Sequence, residues 1–168
     1  MRIPERAAGT TLKINAIAYD GEITPGTYLE LNDGWKSGDQ IEFEFPMEVR
    51  LIQSHPRVAE NRNHAAVMRG RVVYCLEDVD LPEGVKLSEN HLPEDPHFER
   101  VFRPELLGGV TILKTAAIRK SRPSESDGLY RPYIPATQAE VSIQLIPYYA
   151  WANRGVFEMA VWMPMLME

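Results

Sequence analysis

The feature that most constrains the fold is an alternation of apolar and polar side chains that recurs along the chain. In the segment QIEFEF (residues 40–45), Ile41, Phe43 and Phe45 fall on one face and the glutamates between them fall on the other. A two-residue period of this kind predicts a β-strand with one buried and one solvated face. The segment EVSIQLI (residues 140–146) repeats the pattern. Its side chains predicted to point inward are Val141, Ile143 and Leu145.

Other segments alternate less regularly, namely TLKI, TYLEL, EVRLI, AAVM, RVVYCL, GVTIL and EMAVWM. The 13 prolines and 11 glycines lie mostly between these segments, where turns require them. Many short strands separated by turn residues predict an all-β fold. We expect an antiparallel β-sandwich of the jelly-roll or immunoglobulin-like type, with long polar loops. The length of 168 residues suits one domain, so residues 1–168 are predicted to form one sandwich module.

Two polar stretches interrupt the strand pattern. Residues 80–105 are rich in Pro, Glu, Asp and His and predict a long surface loop. Residues 120–138 predict an excursion or linker between strands. Residues 139–168 then supply returning strands, for which we expect packing against a neighbouring domain.

Composition excludes several kinds of partner. The formal net charge is −6, and the longest basic run is the pair Arg119 and Lys120, whereas a nucleic-acid-binding face is clustered and basic. No segment has the ~20 apolar residues of a membrane helix, and residues 1–20 lack the apolar core of a signal peptide. We therefore expect a soluble chain, with a cytoplasmic location favoured and with no nucleic-acid or membrane partner.

Few residues are candidates for catalysis. Cys75 is the single cysteine, which excludes an internal disulfide and any site built from several thiolates. Glycoside hydrolysis needs two carboxylates that flank one bond, and the neighbouring pairs are Glu42 with Glu44 and Glu94 with Asp95. Neither pair is predicted to be buried, so the sequence assigns no catalytic residue.

The histidines give no metal site. They are His55, His64, His91 and His97, and no two have the i, i+4 spacing of a helical metal site. His91 and His97 flank acidic residues, a pattern that fits weak cation binding but is more typical of a solvated loop. The sequence predicts neither a metal site nor a cofactor.

Aromatic and polar side chains concentrate in the segment PYYAWANRG (residues 147–155). This mixture is typical of a saccharide-binding cleft, and also of a surface that packs against another domain. Trp35, in the loop NDGWKSGD (residues 32–39) of a predicted hairpin, has two interpretations as well, either a plug on its own sheet or a platform that stacks on a ligand. The candidate contact residues are Trp35, Tyr148, Tyr149, Trp151, Asn153 and Arg154.

Several sequence segments, taken in chain order, resemble one bacterial protein family. They are MRIPER, TLKIN, GTYLELNDGWKSGDQIEFEFPMEVRLIQSHPRVAENRN, VMRGRVVYCLED and IPYYAWANRGVFEMAVWMP. The most specific parts are RGRVVYCLE and PYYAWANRG. The chain resembles the C-terminal end of the β-L-arabinofuranosidases of glycoside hydrolase family 127 (GH127). The resemblance implies enzymes in which an (α/α) barrel carries the chemistry, through a cysteine nucleophile and a zinc held by cysteines and a glutamate, and β-sandwich domains follow the barrel.

The resemblance also implies that Cys75 belongs to a segment of the family's β-sandwich region rather than to its active site. We therefore expect this chain alone not to be an enzyme. The leading hypothesis is a non-catalytic module that supports or docks onto the catalytic barrel of the same or a neighbouring protein. The alternative is a free-standing carbohydrate-binding module. The apolar C-terminal run further predicts a homo-oligomer with residues 148–167 at or near the contact, against the alternative that EMAVWM is a central strand.

Overall fold

The computed structural model describes residues 1–5, 7–32, 34–122, 130 and 132–167. These residues form strands and short 3₁₀ turns without an α-helix, and the named strands pair antiparallel. The prediction of an all-β, antiparallel fold is confirmed. The chain divides into two compact units, Met1–Glu48 and Val49–Glu168, where the sequence suggested one module. No helical segment among the described residues has the length and apolar character needed to cross a membrane.

The first unit is a small three-stranded sheet. Its strands, in the spatial order β2-β1-β3, are β1 (Thr11–Ile14), β2 (Ile17–Ala18) and β3 (Ile41–Glu44). Leu12 lies opposite Phe43 across β1 and β3, and Phe43 packs against the small core that contains Leu12. Ile41 and Phe45, predicted on the same inner face, are 42% and 38% exposed. The small core therefore covers only the middle of the predicted apolar face.

The second unit is a larger, curled sheet. Its strands are β4 (Val49–Gln53), β5 (His64–Arg69), β6 (Val72–Glu77), β7 (Asn90–His91), β8 (Glu99–Arg103), β9 (Val110–Ser121), β10 (Thr137–Pro147), β11 (Met159–Ala160) and β12 (Trp162–Pro164). The order is β12-β5-β6-β10-β9-β7, with β4 also on β5, β8 also on β9 and β11 also on β6. The 3₁₀ turns are Ala59–Asn61, Asp78–Asp80, Leu87–Glu89 and Tyr148–Ala150.

The two ends of this strand order meet. Leu92, which directly follows β7, donates its N–H to the carbonyl oxygen of Pro164 in β12 (2.9 Å) and accepts the N–H of Leu166 (2.7 Å). Leu92 and Met163 are both buried. Because β12 also pairs with β5, the last strand has neighbours on both sides. β12 is thus an interior strand rather than a free edge, and the predicted homo-oligomer stays a prediction.

The long strands carry apolar side chains on both faces of the curled sheet. On β6, Tyr74 and Leu76 belong to the main core cluster, whereas Cys75 between them belongs to a second cluster. On β10, Ile143 and Leu145 are buried as the alternation predicted, and Pro147 ends the strand. The main core cluster consists of Val67, Tyr74, Leu76, Leu92, Leu113, Ala117, Ile143, Leu145 and Met163.

Three stretches differ from the sequence-based expectation or lie outside the described residues. Residues 80–105 contain β7, β8 and a 3₁₀ turn and bury Asn90, so they are not one surface loop. The predicted strand TYLEL forms only an isolated bridge, from Tyr28 to Arg2. Most of the predicted excursion at 120–138 lies between the paired ends of β9 and β10, and residues 123–129 and 131 are outside the described residues.

Candidate interaction turn of the second unit

The turn that follows β10, residues 148–155, presents aromatic side chains at the surface, and we call it the aromatic turn. The rings of Tyr148 and Trp151 lie nearly parallel (13° between planes) with centroids 6.2 Å apart, in the range of offset aromatic pairs. Their exposed fractions are 44% and 37%, and that of Tyr149 is 69%. Ala150, between them, is buried in the second core cluster. Ala150 therefore anchors the turn in the core, while the aromatic side chains on either side of it are exposed to solvent.

A buried ion pair holds the C-terminal half of the turn. Arg154 donates from Nε to Oε2 of Glu77 (3.0 Å), and its terminal NH2 group also bonds that oxygen. The Glu77 side chain at the end of β6 is 0% exposed and that of Arg154 is 18% exposed. A carboxylate this deeply buried requires a charged partner, because its desolvation costs several kcal/mol. Arg154 supplies that partner.

The same guanidinium binds a second carboxylate. Asp80 accepts a bond of 2.8 Å at Oδ1 from NH1 of Arg154 and a bond of 2.6 Å at Oδ2 from NH2, a bidentate arrangement that suits the planar guanidinium. Gln144 of β10 donates to Oδ1 of Asp80 (2.8 Å). One arginine therefore ties the turn to β6, to the 3₁₀ turn after β6 and, through Asp80, to β10.

This network stabilises the charged form of Arg154. Hydrogen bonding to Asp80, together with the bonds to Glu77, raises the pKa of the guanidinium above its ordinary value, although partial burial acts in the opposite direction. A guanidinium is already protonated in proteins, and these bonds stabilise its charged form further.

Two further polar groups of the turn, on Ala152 and Asn153, also form hydrogen bonds. The Ala152 N–H donates to Oε1 of Glu77 (3.1 Å), with Ala152 in the left-handed region (φ 62°). The Asn153 amide nitrogen donates to the carbonyl oxygen of Ala150 (3.0 Å). Of the candidate contact residues on this segment, Asn153 and Arg154 hold the turn, and Tyr148, Tyr149 and Trp151 form its exposed surface.

Trp35 lies in the first unit, apart in the chain from the aromatic turn. Trp35 is 43% exposed, and its Nε1–H donates to the carbonyl oxygen of Leu31 (3.3 Å). It lines a shallow hollow together with Leu29, Leu31 and Ile41. The Trp35 side chain is thus bonded to its own loop and remains partly exposed to solvent.

Both units match known domain families. Residues 49–164 match the glycoside hydrolase family 127 C-terminal domain. The chain belongs to glycoside hydrolase family 127. Residues 1–47 match the domain described as beta-L-arabinofuranosidase, GH127 middle domain. The border between the two matches coincides with the border between the two compact units at residues 48 and 49. The family resemblance seen in the sequence is confirmed.

GH127 relatives are longer than this chain. The non-reducing end β-L-arabinofuranosidase of Bifidobacterium longum subsp. longum is 33% identical over 169 residues, which cover 96% of this chain and 25% of that protein. A GH127 β-L-arabinofuranosidase structure from Geobacillus stearothermophilus T6 has a TM-score of 0.79 at 40% identity and is matched over 26% of its length by 98% of this chain. A further glycoside hydrolase structure has a TM-score of 0.82 at 38% identity, covering 99% of this chain and 27% of its own. The chain spans about a quarter of the length of these relatives.

In this GH127 chain, the free cysteine Cys75 is buried in the core. Its side chain is 1% exposed, in the second core cluster beneath the aromatic turn. Burial, and then the charge of Glu77, raise the pKa of the Cys75 thiol to about 12. The thiolate is the reactive form, so the raised pKa lowers the fraction of reactive thiolate near neutral pH.

The carboxylate pairs proposed from the sequence lie at the surface. Glu42 faces Lys13 across β1 and β3 at 3.7 Å, and Glu44 is exposed beside it on the same strand. Glu94 and Asp95 are both exposed. Among the described residues, no three His, Cys, Asp or Glu side chains converge as they would around a metal ion.

A cleft of about 570 Å³ in the second unit was not predicted from the sequence. It lies where β4 ends, β5 begins and the chain leaves β12. Its lining includes Gln53, His64, Glu94 and Met165. These residues come from separate segments, so no local sequence pattern marks the site.

Proposed function

We propose that this chain is a non-catalytic β-module of a β-L-arabinofuranosidase-like GH127 enzyme that supports, or docks onto, a catalytic (α/α) barrel. The aromatic turn is the contact surface. The single observation that carries the proposal is the combination of exposed Tyr148, Tyr149 and Trp151 with a buried anchor at Glu77 and Arg154.

The physical argument rests on preorganisation. Aromatic side chains are enriched in protein interfaces, and ordering a mobile surface on contact costs free energy. Here the bidentate bonds of Arg154 fix the turn before any partner arrives. The Trp151 and Tyr148 rings then offer a nearly flat apolar surface of the kind that domains bury against one another.

Hydroxyl-radical footprinting tests this contact. In a chimaera, this chain replaces the matching quarter of the Geobacillus stearothermophilus relative. We expect Tyr148, Tyr149 and Trp151 to be labelled in the 168-residue chain alone and protected in the chimaera. Phe102 on β8, which is 62% exposed, is the internal control and should be labelled equally in both. Equal labelling of Trp151 in both proteins contradicts the docking proposal.

A catalytic assay tests the other half of the proposal. The chain alone should release no p-nitrophenol from an aryl β-L-arabinofuranoside, because the Cys75 thiol is buried and protonated and the candidate carboxylates are exposed. Release above the blank that disappears in Glu94→Gln or Glu42→Gln would show that the chain is itself a hydrolase.

A second function, carbohydrate binding, is favoured by one specific observation. The cleft beside His64 and Glu94 has the volume of a small-ligand site and lies apart from the residues of the aromatic turn. Saccharide binding there is compatible with docking through the turn.

A further inference from the structure

The cleft lies at one end of the curled sheet. Its apolar floor includes Leu51 of β4 and Met165 after β12, and both side chains also pack against the main core cluster. Small-molecule sites are frequent in the mouths of barrel-like sheets, with volumes of roughly 300–1,000 Å³. The volume of about 570 Å³ falls within this range.

Backbone bonds hold the rim of the cleft in place. The N–H of Met165 donates to the carbonyl oxygen of Asn63 (2.8 Å), and the N–H of Leu166 donates to that of Leu92 (2.7 Å). Asn63 itself has a positive φ of 58°, which turns the chain into β5 at this point. The rim is therefore built before any ligand binds.

The polar groups of the rim are rich in acceptors. His64 Nδ1 lies 2.7 Å from the carbonyl oxygen of Arg62. A carbonyl can only accept, so in the neutral ring Nδ1 carries the hydrogen and Nε2 is an acceptor. The ionised Glu94 carboxylate accepts only, and the Gln53 amide can both donate and accept.

Resting on the carbohydrate binding proposed above for this cleft, we propose that it binds a neutral saccharide, one or two sugar residues at a time. Sugar hydroxyls donate to Glu94 and His64, and the C–H face of the ring packs on Leu51 and Met165. The Glu94 charge disfavours an acidic ligand. A hydrocarbon chain would leave the rim acceptors desolvated without partners, which is costly. The neutral polyol is the class that satisfies both the floor and the rim.

The test uses methyl NMR on the 168-residue chain with ¹³C-labelled methionine methyl groups, of which the sequence has 7. The probes are L-arabinose, D-galactose and D-glucose at increasing millimolar concentrations. We expect saturable shifts of the Met165 and Met167 signals with at least one sugar, because both residues line the cleft. Met159, which packs on the second core cluster, should not shift.

Two variants make the test specific. Glu94→Gln removes the charged acceptor and should raise the dissociation constant about tenfold, as expected for the loss of one charge-assisted hydrogen bond. Glu83→Gln, another exposed carboxylate of the same unit, should leave it unchanged. Unchanged spectra of the other methyl groups show that both variants are folded.

The outcomes separate the saccharide proposal from the docking proposal. No saturable shift at Met165 and Met167 with any of the sugars, or equal affinity in Glu94→Gln, overturns saccharide binding in the cleft. If Trp151→Ala abolishes the shifts, the sugar binds at the aromatic turn, and this result also overturns saccharide binding in the cleft. None of these results alters the footprinting test, which reports on residues that do not line the cleft.

Discussion

The aromatic turn and the Trp35 loop are built from similar residues but anchored in different ways. Each combines an aromatic side chain with an acidic anchor and a nearby glycine. In the aromatic turn, the anchor Glu77 is fully buried and bonded to Arg154. In the Trp35 loop, the anchor Asp39 accepts the Lys36 N–H (2.6 Å) and the Asn15 side-chain amide (2.9 Å), and these bonds are exposed to solvent.

The difference shows that burial of the anchor, rather than its residue type, decides how much it matters. Breaking a buried ion pair leaves an uncompensated charge in a medium of low dielectric constant. Breaking an exposed one lets water replace the partner at little cost. The predictions below test this contrast, from the largest expected effect to the smallest.

Arg154→Ala should lower the free energy of unfolding by about 3–5 kcal/mol, because the Glu77 carboxylate then remains buried without a charged partner. Urea unfolding followed by fluorescence measures the change. Arg57→Ala, which replaces an exposed arginine of the same unit, is the matched control and should change stability little. A loss no larger than that of the control means that the buried pair does not anchor the turn.

The reactivity of the Cys75 thiol reports whether the aromatic turn covers it. At pH 8 the native thiol should react with iodoacetamide about a thousandfold more slowly than in the unfolded chain, since its pKa rises from 9.0 to about 12. Mass spectrometry at timed intervals gives the rate. Arg154→Ala should speed the reaction, whereas native labelling at the rate of free cysteine would show that the turn does not cover the thiol.

Ala152→Gly should raise the free energy of unfolding by about 0.5–1 kcal/mol, because Ala152 has a φ of 62° that costs a side chain with a Cβ more than it costs glycine. Ala16→Gly, at φ 65° in the turn between β1 and β2, should act in the same direction. Ala150→Gly is the control, because Ala150 is buried and has no positive φ, and it should destabilise. Thermal unfolding compares the three variants.

Asp39 should give the smallest effect and one that depends on pH. Bonds from the Lys36 N–H and then from Asn15 hold the pKa of its carboxyl below the ordinary 3.8. A lowered folded-state pKa stabilises the protein above the unfolded-state value, and this contribution is lost as the pH falls through the folded-state pKa. The stability difference between the wild type and Asp39→Asn should therefore shrink on acidification below pH 3.8, as measured by urea unfolding at a series of pH values. A constant difference contradicts the prediction.

Local patterns predicted the secondary structure of the second unit well. The alternation in residues 140–146 places Ile143 and Leu145 inside because a strand turns successive side chains to opposite faces. Pro147 ends β10 as expected. The phrases RGRVVYCLE and PYYAWANRG were sufficient to identify the family, since residues 49–164 match its C-terminal domain.

Local patterns failed to predict the structure where it depends on the burial of a single apolar residue in a polar stretch. Residues 80–105 have no alternation, yet Leu92 is fully buried and closes the ring of strands against Pro164 and Leu166. A single apolar residue in a polar stretch gives no periodic signal, so its burial depends on which strand it meets in the folded chain.

The sequence by itself determined most of the β-strands, the positions of many turns and the GH127 family, because backbone preference and side-chain alternation act over a few neighbouring residues. Tertiary structure alone decided that Arg154 meets Glu77, 77 positions away in the chain, and that Gln53, His64 and Glu94 surround one cleft. A charged residue such as Glu77 is almost never buried unless it is paired, and the sequence does not show the pair. Such long-range pairings form only when packing compensates for the entropy of closing the intervening chain.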